Sequence, residues 1–366
     1  MSTSSWLAFT PRDTVFVRDG RSFDAASDAL AQTVRPGPTT VAGAVGAAFG
    51  IRPAGLRDHD AGSGQAAIGE VRGPVLARRS GDTWIPYFPV PADLVRTTGE
   101  AEPYVYRLMP SEPAGLTDLG EGEVQSWLML PEERVEPLRG WIPGPILAAY
   151  LAGELPGPGG TPLEDFEPLM RGEDLADPLV PERRIGLARD DRRVRVGYLY
   201  QSTHLRPEED WAFLAEYTWS GERGQNPIPF GGKGRLADIE PAAMSWPASG
   251  AGAMGTRVLV YLATPAVWAD GWRMPIPAGA TLVAAATGEP EPAATVTPGV
   301  RWRDSRALRW AVPAGSVYLL EFGDAATGAA WAREWHGVAL DRGGDVGEPD
   351  LLRTAGFGVA LTGVWT

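Results

Sequence analysis

The sequence predicts an α+β chain built mainly from antiparallel strands, hairpins and Gly-rich loops, and three observations carry that prediction. The 366 residues include 46 glycines and 34 prolines, which interrupt regular structure too often for a long-helix bundle. Two segments alternate apolar and polar residues on either side of a turn signal, as half-buried hairpins do. Helical spacing occurs only in short stretches. Hydrophobic residues make up 44% and charged residues 22%, enough to form an ordinary core. At roughly 150 residues per domain the length suggests about two domains.

Taken in order, Trp6 to Phe9 reads as a strand that bends at Pro11, and Val15 to Val17 as a second strand ending at the Asp-Gly turn Arg18-Asp19-Gly20-Arg21. After Pro36-Gly37-Pro38, Val41, Val45, Ala48 and Phe49 fall at helical spacing before Gly50, with Thr39 or Thr40 expected to cap. Val71 to Ala77 and Thr83 to Val90 flank Arg78 to Asp82 as a hairpin, whose second strand Pro86 and Pro89 assign to an edge. Gln125 to Leu130 reads as a strand and Pro145 to Tyr150 as a short helix with Pro in its first turn. Residues 100 to 182 are acidic and loop-rich, expected to face solvent or a partner, and residues 152 to 182 contain the expected domain junction. A second hairpin follows, Arg184 to Ala188 and Arg193 to Tyr200, then strands at Trp211 to Trp219, Leu236 to Ile239, Arg257 to Leu262, Thr281 to Ala286, Val317 to Phe322 and Val359 to Trp365.

Composition narrows the chemistry. With no cysteine there is no disulfide framework, thiolate metal cluster or Cys nucleophile. No apolar run is long enough to cross a membrane as a helix, and Met1 to Trp6 lacks the features of a secretion signal, so a cytoplasmic location and no membrane contact are expected. Acidic residues outnumber basic ones 46 to 33, for a net charge of −13, so any nucleic-acid contact must be local. Lys233 is the only lysine; GC-rich coding or guanidinium recognition of phosphate would each favour arginine.

Enzyme signatures are absent. His59, His204 and His336 lie far apart and form no metal-binding pair, so neither a metal nor a cofactor is expected. His204, just after a strand, suits a general base or stacking on a nucleobase, or is simply packed. Glu164-Asp165 and Glu208-Glu209-Asp210 could pair as acid and nucleophile, but spacing does not distinguish them from solvated acidic loops. There is no nucleophile elbow or Walker loop.

What remains is a set of Gly and Arg clusters beside strands. Gly231-Gly232-Lys233-Gly234-Arg235 leaves backbone N–H groups uncovered and adds two cations, which suits a phosphodiester backbone or a close-packed neighbour. Arg18 and Arg21 bracket a tight turn that would aim two guanidiniums from one corner. Gly356-Phe357-Gly358, preceded by Arg353, is another glycine bend beside an aromatic ring. The densest positive stretch, Arg183 to Arg206, is partly cancelled by Glu182, Asp190 and Asp191, and so reads as either a positive ribbon or a salt-bridged surface.

Several of these blocks resemble a known family. Phe9-Thr10-Pro11-Arg12-Asp13 through Phe16-Val17-Arg18-Asp19-Gly20-Arg21-Ser22-Phe23 resembles the opening of one Cmr-module RAMP subunit of type III-B CRISPR effector complexes. Pro36-Gly37-Pro38-Thr39-Thr40-Val41-Ala42-Gly43-Ala44, Arg184-Ile185-Gly186-Leu187, Gly197-Tyr198-Leu199-Tyr200, Pro229-Phe230 with the following Gly-rich loop, and Ala355-Gly356-Phe357-Gly358 through Trp365 are similar to later blocks, in family order. The resemblance implies two ferredoxin-like, RRM-related domains, at 1–165 (carrying the acidic insert) and 183–366. It implies a non-catalytic, antiviral, crRNA-binding role that holds the 5′ handle beside the large polymerase-like subunit and the backbone RAMP subunits. The RNA-binding residues expected are Arg18, Arg21, Gly231, Gly232, Lys233, Gly234, Arg235, His204, Gly356 and Gly358. A RAMP-superfamily ribonuclease using His204 and a stand-alone hydrolase with paired carboxylates are the alternatives.

Overall fold

Two antiparallel sheets packed face to face organise the computed structural model. It describes residues 4–18, 33–50, 70–98, 102–112, 126–129, 134–157, 159–166, 177–190, 192–218, 226–250, 255–296, 306–340 and 351–365. Strand β1 (Ser5–Pro11) is followed by helix α1 (Pro38–Ala48) and the hairpin β2 (Val71–Ser80) and β3 (Thr83–Pro89). Strands β4 (Leu94–Thr97), β5 (Tyr104–Arg107), β6 (Met109–Ser111), β7 (Trp127–Met129), β8 (Val135–Pro137) and β9 (Trp141–Pro143) come next, then α2 (Gly144–Leu151), β10 (Thr161–Pro162) and the single turn α3 (Leu163–Phe166). A two-stranded ribbon, β11 (Leu179–Asp190) with β12 (Arg193–Pro207), leads into β13 (Trp211–Tyr217), β14 (Ile228–Pro229) and β15 (Leu236–Ala242).

These elements build a first sheet of order β14-β15-β1-β13-β2-β3-β9. Strands on both sides of the 152–182 stretch therefore lie in one sheet, with β1 hydrogen-bonded to both β13 and β15. The rest of the chain supplies β16 (Arg257–Leu262), β17 (Ala280–Ala286), β18 (Glu291–Val296), β19 (Arg306–Ala311), β20 (Val317–Phe322), α4 (Ala325–Trp335), β21 (Val338–Ala339), α5 (Leu351–Thr354) and β22 (Val359–Val364). Its main sheet has the order β17-β20-β16-β22-β21.

The period-2 alternation of a strand explains the layering. In β1, Trp6 and Ala8 face a core shared with the second sheet, whereas Leu7 and Phe9 face a second core beneath α1. In β16, Leu259 and Tyr261 join the shared core while Val258 and Val260 join a third one toward α4. The layers therefore run α1, first sheet, second sheet, α4. Each central strand is apolar on both faces, and Trp6 to Phe9 accordingly reads as a continuous apolar run.

Several expectations need correcting. Neither Thr39 nor Thr40 caps α1: Gly37 is the N-cap, no side chain caps it, and the Gly37 carbonyl accepts the N–H groups of Thr40 and Val41. Pro38, which has no N–H, leaves one donor fewer to satisfy. Strand β3 is not an edge, because β9 pairs with Tyr87, Phe88 and Pro89, beyond Pro86. The acidic stretch is not wholly exposed: β10-β5-β4-β8 forms a small sheet, and Val105, Leu138 and Leu163 reach the shared core. Helix α4 carries no sequence expectation, although Asp324 caps it by accepting from the Thr327 N–H at 2.8 Å.

Candidate nucleic-acid interface

The site lies on the α1 side of the first sheet, where residues 13 to 18 thread between the β11–β12 ribbon and the Gly231–Arg235 loop. Val15 exchanges both backbone hydrogen bonds with Leu205 of β12, at 2.7 and 2.9 Å. The next carbonyl, that of Phe16, accepts the Gly232 N–H at 2.6 Å, and Val17 accepts from Val34. One extended segment thus fastens the ribbon on one side and the glycine loop on the other.

The loop joins β14 to β15 and closes with Phe230 N–H donating to the Arg235 carbonyl at 2.8 Å. Glycine is required at 231: φ is +81°, and a Cβ would stand 2.8 Å from the Phe16 oxygen. Lys233 also has positive φ, at 54°, and its ammonium lies 4.5 Å from the centroid of the Phe16 ring. Residues 231 to 234 are exposed.

Beneath the loop, two carboxylates gather three arginines. Asp13 receives Arg184 at 3.0 Å, Arg206 at 2.9 Å, and Arg235. Glu182 receives Arg184 at 2.6 Å and also Arg206. In the ribbon register Glu182 lies opposite His204 and Arg184 opposite Ser202, which puts these side chains on one face. Hydrogen bonds from the arginines hold the Glu182 carboxyl below its usual range; those from Arg184 and Arg206 do the same for Asp13 despite its partial burial. The cluster keeps a net positive charge, and Lys233 and Arg18 add to it. Partial burial, then Arg235, then Arg18, lower the Lys233 ammonium below its ordinary value, so these three cations share one field.

His204 is the packed base of this assembly. It is only 2% exposed, its Nδ1 lies 3.0 Å from the Thr14 hydroxyl, and its ring packs 4.8 Å from that of Phe16. Burial, then Arg235, Arg184 and Lys233, push its pKa down to about 4, with Glu182 opposing. The imidazole is therefore neutral at pH 7 and turned away from solvent, unsuited to stacking on a nucleobase.

The structure thus brings Arg18, Gly231, Gly232, Lys233, Gly234, Arg235 and His204 together, while Arg21 lies outside the described residues. Gly356 and Gly358 are elsewhere. A Cβ on Gly356 would meet the Val71 carbonyl at 2.7 Å, Gly358 packs near Ala266, and the Thr264 hydroxyl donates to the Gly356 carbonyl at 2.7 Å. Asp13 carries no site expectation from spacing, because its partners are 171, 193 and 222 residues away. Among the described residues no cluster of His, Asp and Glu could hold a metal, and no helix is long and apolar enough to cross a membrane.

Comparison with known proteins adds three findings. Residues 7–365 match the family described as CRISPR-associated protein (Cas_Cmr3). Among solved structures, "Cryo-EM structure of the Type III-B Cmr-beta bound to cognate target RNA and AMPPnP, state 1" and "Cryo-EM structure of the Type III-B Cmr-beta bound to cognate target RNA" each align at a TM-score of 0.47 and 13% identity, over 86% of this chain and 86% of theirs. No curated protein matches.

Proposed function

From the premise that this chain belongs to the Cas_Cmr3 family of CRISPR-associated proteins, we propose that it is a non-catalytic RNA-binding subunit of a type III-B effector complex, holding the 5′ handle of the crRNA. The observation that carries this is the Gly231–Arg235 loop, anchored on the Phe16 carbonyl, where Lys233, Arg235 and Arg18 share one positive field in a chain of net charge −13. Exposed glycine backbone lets a phosphodiester approach, and the cations supply charge-assisted hydrogen bonds to it. The acidic remainder discourages unspecific RNA and leaves surface for the large polymerase-like subunit and the backbone RAMP subunits. The complex would work in the cytoplasm.

Strand order supports reading the chain as two ferredoxin-like, RRM-related units. In β15-β1-β13-β2 and in β22-β16-β20-β17 alike, the fourth strand lies beside the first, the first beside the third and the third beside the second. The first unit keeps the helix between its first two strands, α1, and the second keeps the one between its last two, α4. On this reading the ribbon and the small acidic sheet are insertions into the first unit. The His204 ribonuclease reading loses ground to the burial of that imidazole.

The test is Lys233→Ala with Arg235→Ala in the assembled complex. Copurified short RNA of uniform 5′ end should be lost or loosened while the melting temperature stays within a few degrees. Full retention of that RNA by a folded double variant would overturn the assignment of the loop.

A further inference from the structure

Phe16 touches the glycine loop twice, once through its backbone and once through its ring. Its carbonyl accepts the Gly232 N–H at 2.6 Å, and its ring lies 4.5 Å from the Lys233 ammonium. The ring itself is buried and held from behind. It packs 4.8 Å from the His204 ring, whose Nδ1 lies 3.0 Å from the Thr14 hydroxyl. Gly232 leaves room for it, since a Cβ there would stand 3.3 Å from Phe16 Cδ1. A stack therefore runs outward from buried Thr14 through His204 and Phe16 to exposed Lys233.

We infer that Phe16 is a positioning residue of the phosphate grip, its ring holding the Lys233 ammonium at the loop surface before RNA arrives. A lysine stem is long and flexible, and its freedom is lost when the ammonium takes a phosphate. A stem already held over a ring has given up part of that freedom before binding. The ring attracts the cation through its quadrupole yet has no net charge, so it does not cancel the charge offered to RNA. Arg235 differs, because the carboxylate that orients it, Asp13, is an anion. The backbone of Lys233 is left-handed, with φ +54°, where glycine is the easier residue. A lysine stands there against a backbone cost, and the ring contact gives its side chain a use. The inference rests on the RNA-binding reading above and gives Phe16, and through it the buried His204, a part in that site.

Lys233 is the only lysine, so biosynthetic carbon-13 labelling of lysine at Cε gives one side-chain signal. In the free full chain the Phe16 ring current should shift its Hε protons upfield, and Phe16→Leu should return them to the ordinary lysine position. An ordinary position in the wild type would overturn the inference. In the assembled complex, Phe16→Leu should weaken a handle-length RNA about two- to fivefold. The salt slope should stay unchanged, because the phosphate contact still forms. Phe16→Tyr, which keeps the ring, should restore the affinity. In a Lys233→Ala background Phe16→Leu should cost nothing more, because the ring acts through the ammonium. Melting is followed throughout, and Phe16→Met serves as a second ringless variant with the same expectations. An equal loss of affinity with and without Lys233 would make the ring a packing residue and overturn the inference. If Lys233→Ala weakens RNA while neither ringless variant does, the positioning role is refuted and the phosphate grip stands. If Lys233→Ala changes neither affinity nor salt slope, both readings fall.

Discussion

Asp13 and Asp93 are both aspartates facing arginine, yet their surroundings give them opposite tasks. Asp93 is 0% exposed, receives the Tyr150 hydroxyl on both oxygens at 2.7 and 2.9 Å, and has Arg107 Nε at 3.6 Å. Burial raises its pKa, against the pull of Arg107 and Tyr150. Arg107 also donates to the carbonyls of Tyr150 and Val364, so this cluster ties β5, α2 and the end of β22 together. Asp13 is partly exposed and gathers three guanidiniums at the rim of the glycine loop. A buried ion pair is costly to break, because the remaining charge has no solvent; an exposed one contributes little to stability and is left to orient what it touches. The difference separates a structural clamp between the layers from a cluster that, on the function proposed above, positions cations for a phosphate.

The largest effect expected follows from breaking the buried cluster. Asp93→Ala leaves Arg107 without its carboxylate in the core and should destabilise the fold by about 3–5 kcal/mol, measured by chemical denaturation. A loss under about 1 kcal/mol would remove the contrast.

His204, between the two regimes, gives a pH test. Its folded pKa is about 4 and an unfolded histidine titrates near 6.5, so above 6.5 the residue is neutral in both states. As pH falls from about 6.5 toward 4, only the unfolded chain takes up the proton, and stability is lost, by at most about 3 kcal/mol. His204→Gln should flatten the fall in melting temperature across that window, and an unchanged slope would show that the imidazole is not held neutral.

The smallest stability effect belongs to the exposed cluster. Asp13→Asn should cost less than about 1 kcal/mol of fold stability, yet weaken RNA binding several-fold, because Arg184, Arg206 and Arg235 lose their common anchor. Asp13→Glu, which keeps the charge, should restore part of the affinity. Equal losses of stability and affinity in Asp13→Asn would make this cluster a clamp like the one at Asp93.

Sequence reading recovers most of what is local. The apolar run Trp6 to Phe9, the spacing of Val41, Val45 and Ala48, and the turn at Gly81-Asp82 each depend on neighbours in the chain, and β1, α1 and the β2–β3 hairpin follow. The glycine loop is legible too, because its glycines and cations are contiguous. Glu182, read as partly cancelling the ribbon arginines, does pair with Arg184 and Arg206. Asp13 is not legible from spacing, since its partners arrive from across the fold. The pairing of β1 with β13 and β15 is hidden in the same way, its residues lying more than 200 positions apart. Helix α4 escapes for a different reason: the residues it buries are Gly328 and Ala332, too small to mark an apolar face, and the Asp324 cap is a local sign of its start.

The central claim is that the Gly231–Arg235 loop grips RNA phosphate, and the salt dependence of binding tests it most directly. Affinity for a handle-length RNA should be measured across a range of salt for the wild type and for Lys233→Ala, in the same assembly. The account predicts weaker binding at every salt concentration and a log–log slope shallower by about one unit, the signature of one lost phosphate contact. A folded variant with unchanged affinity and slope would contradict it, leaving Lys233 as a loop residue packed on Phe16 and nothing more.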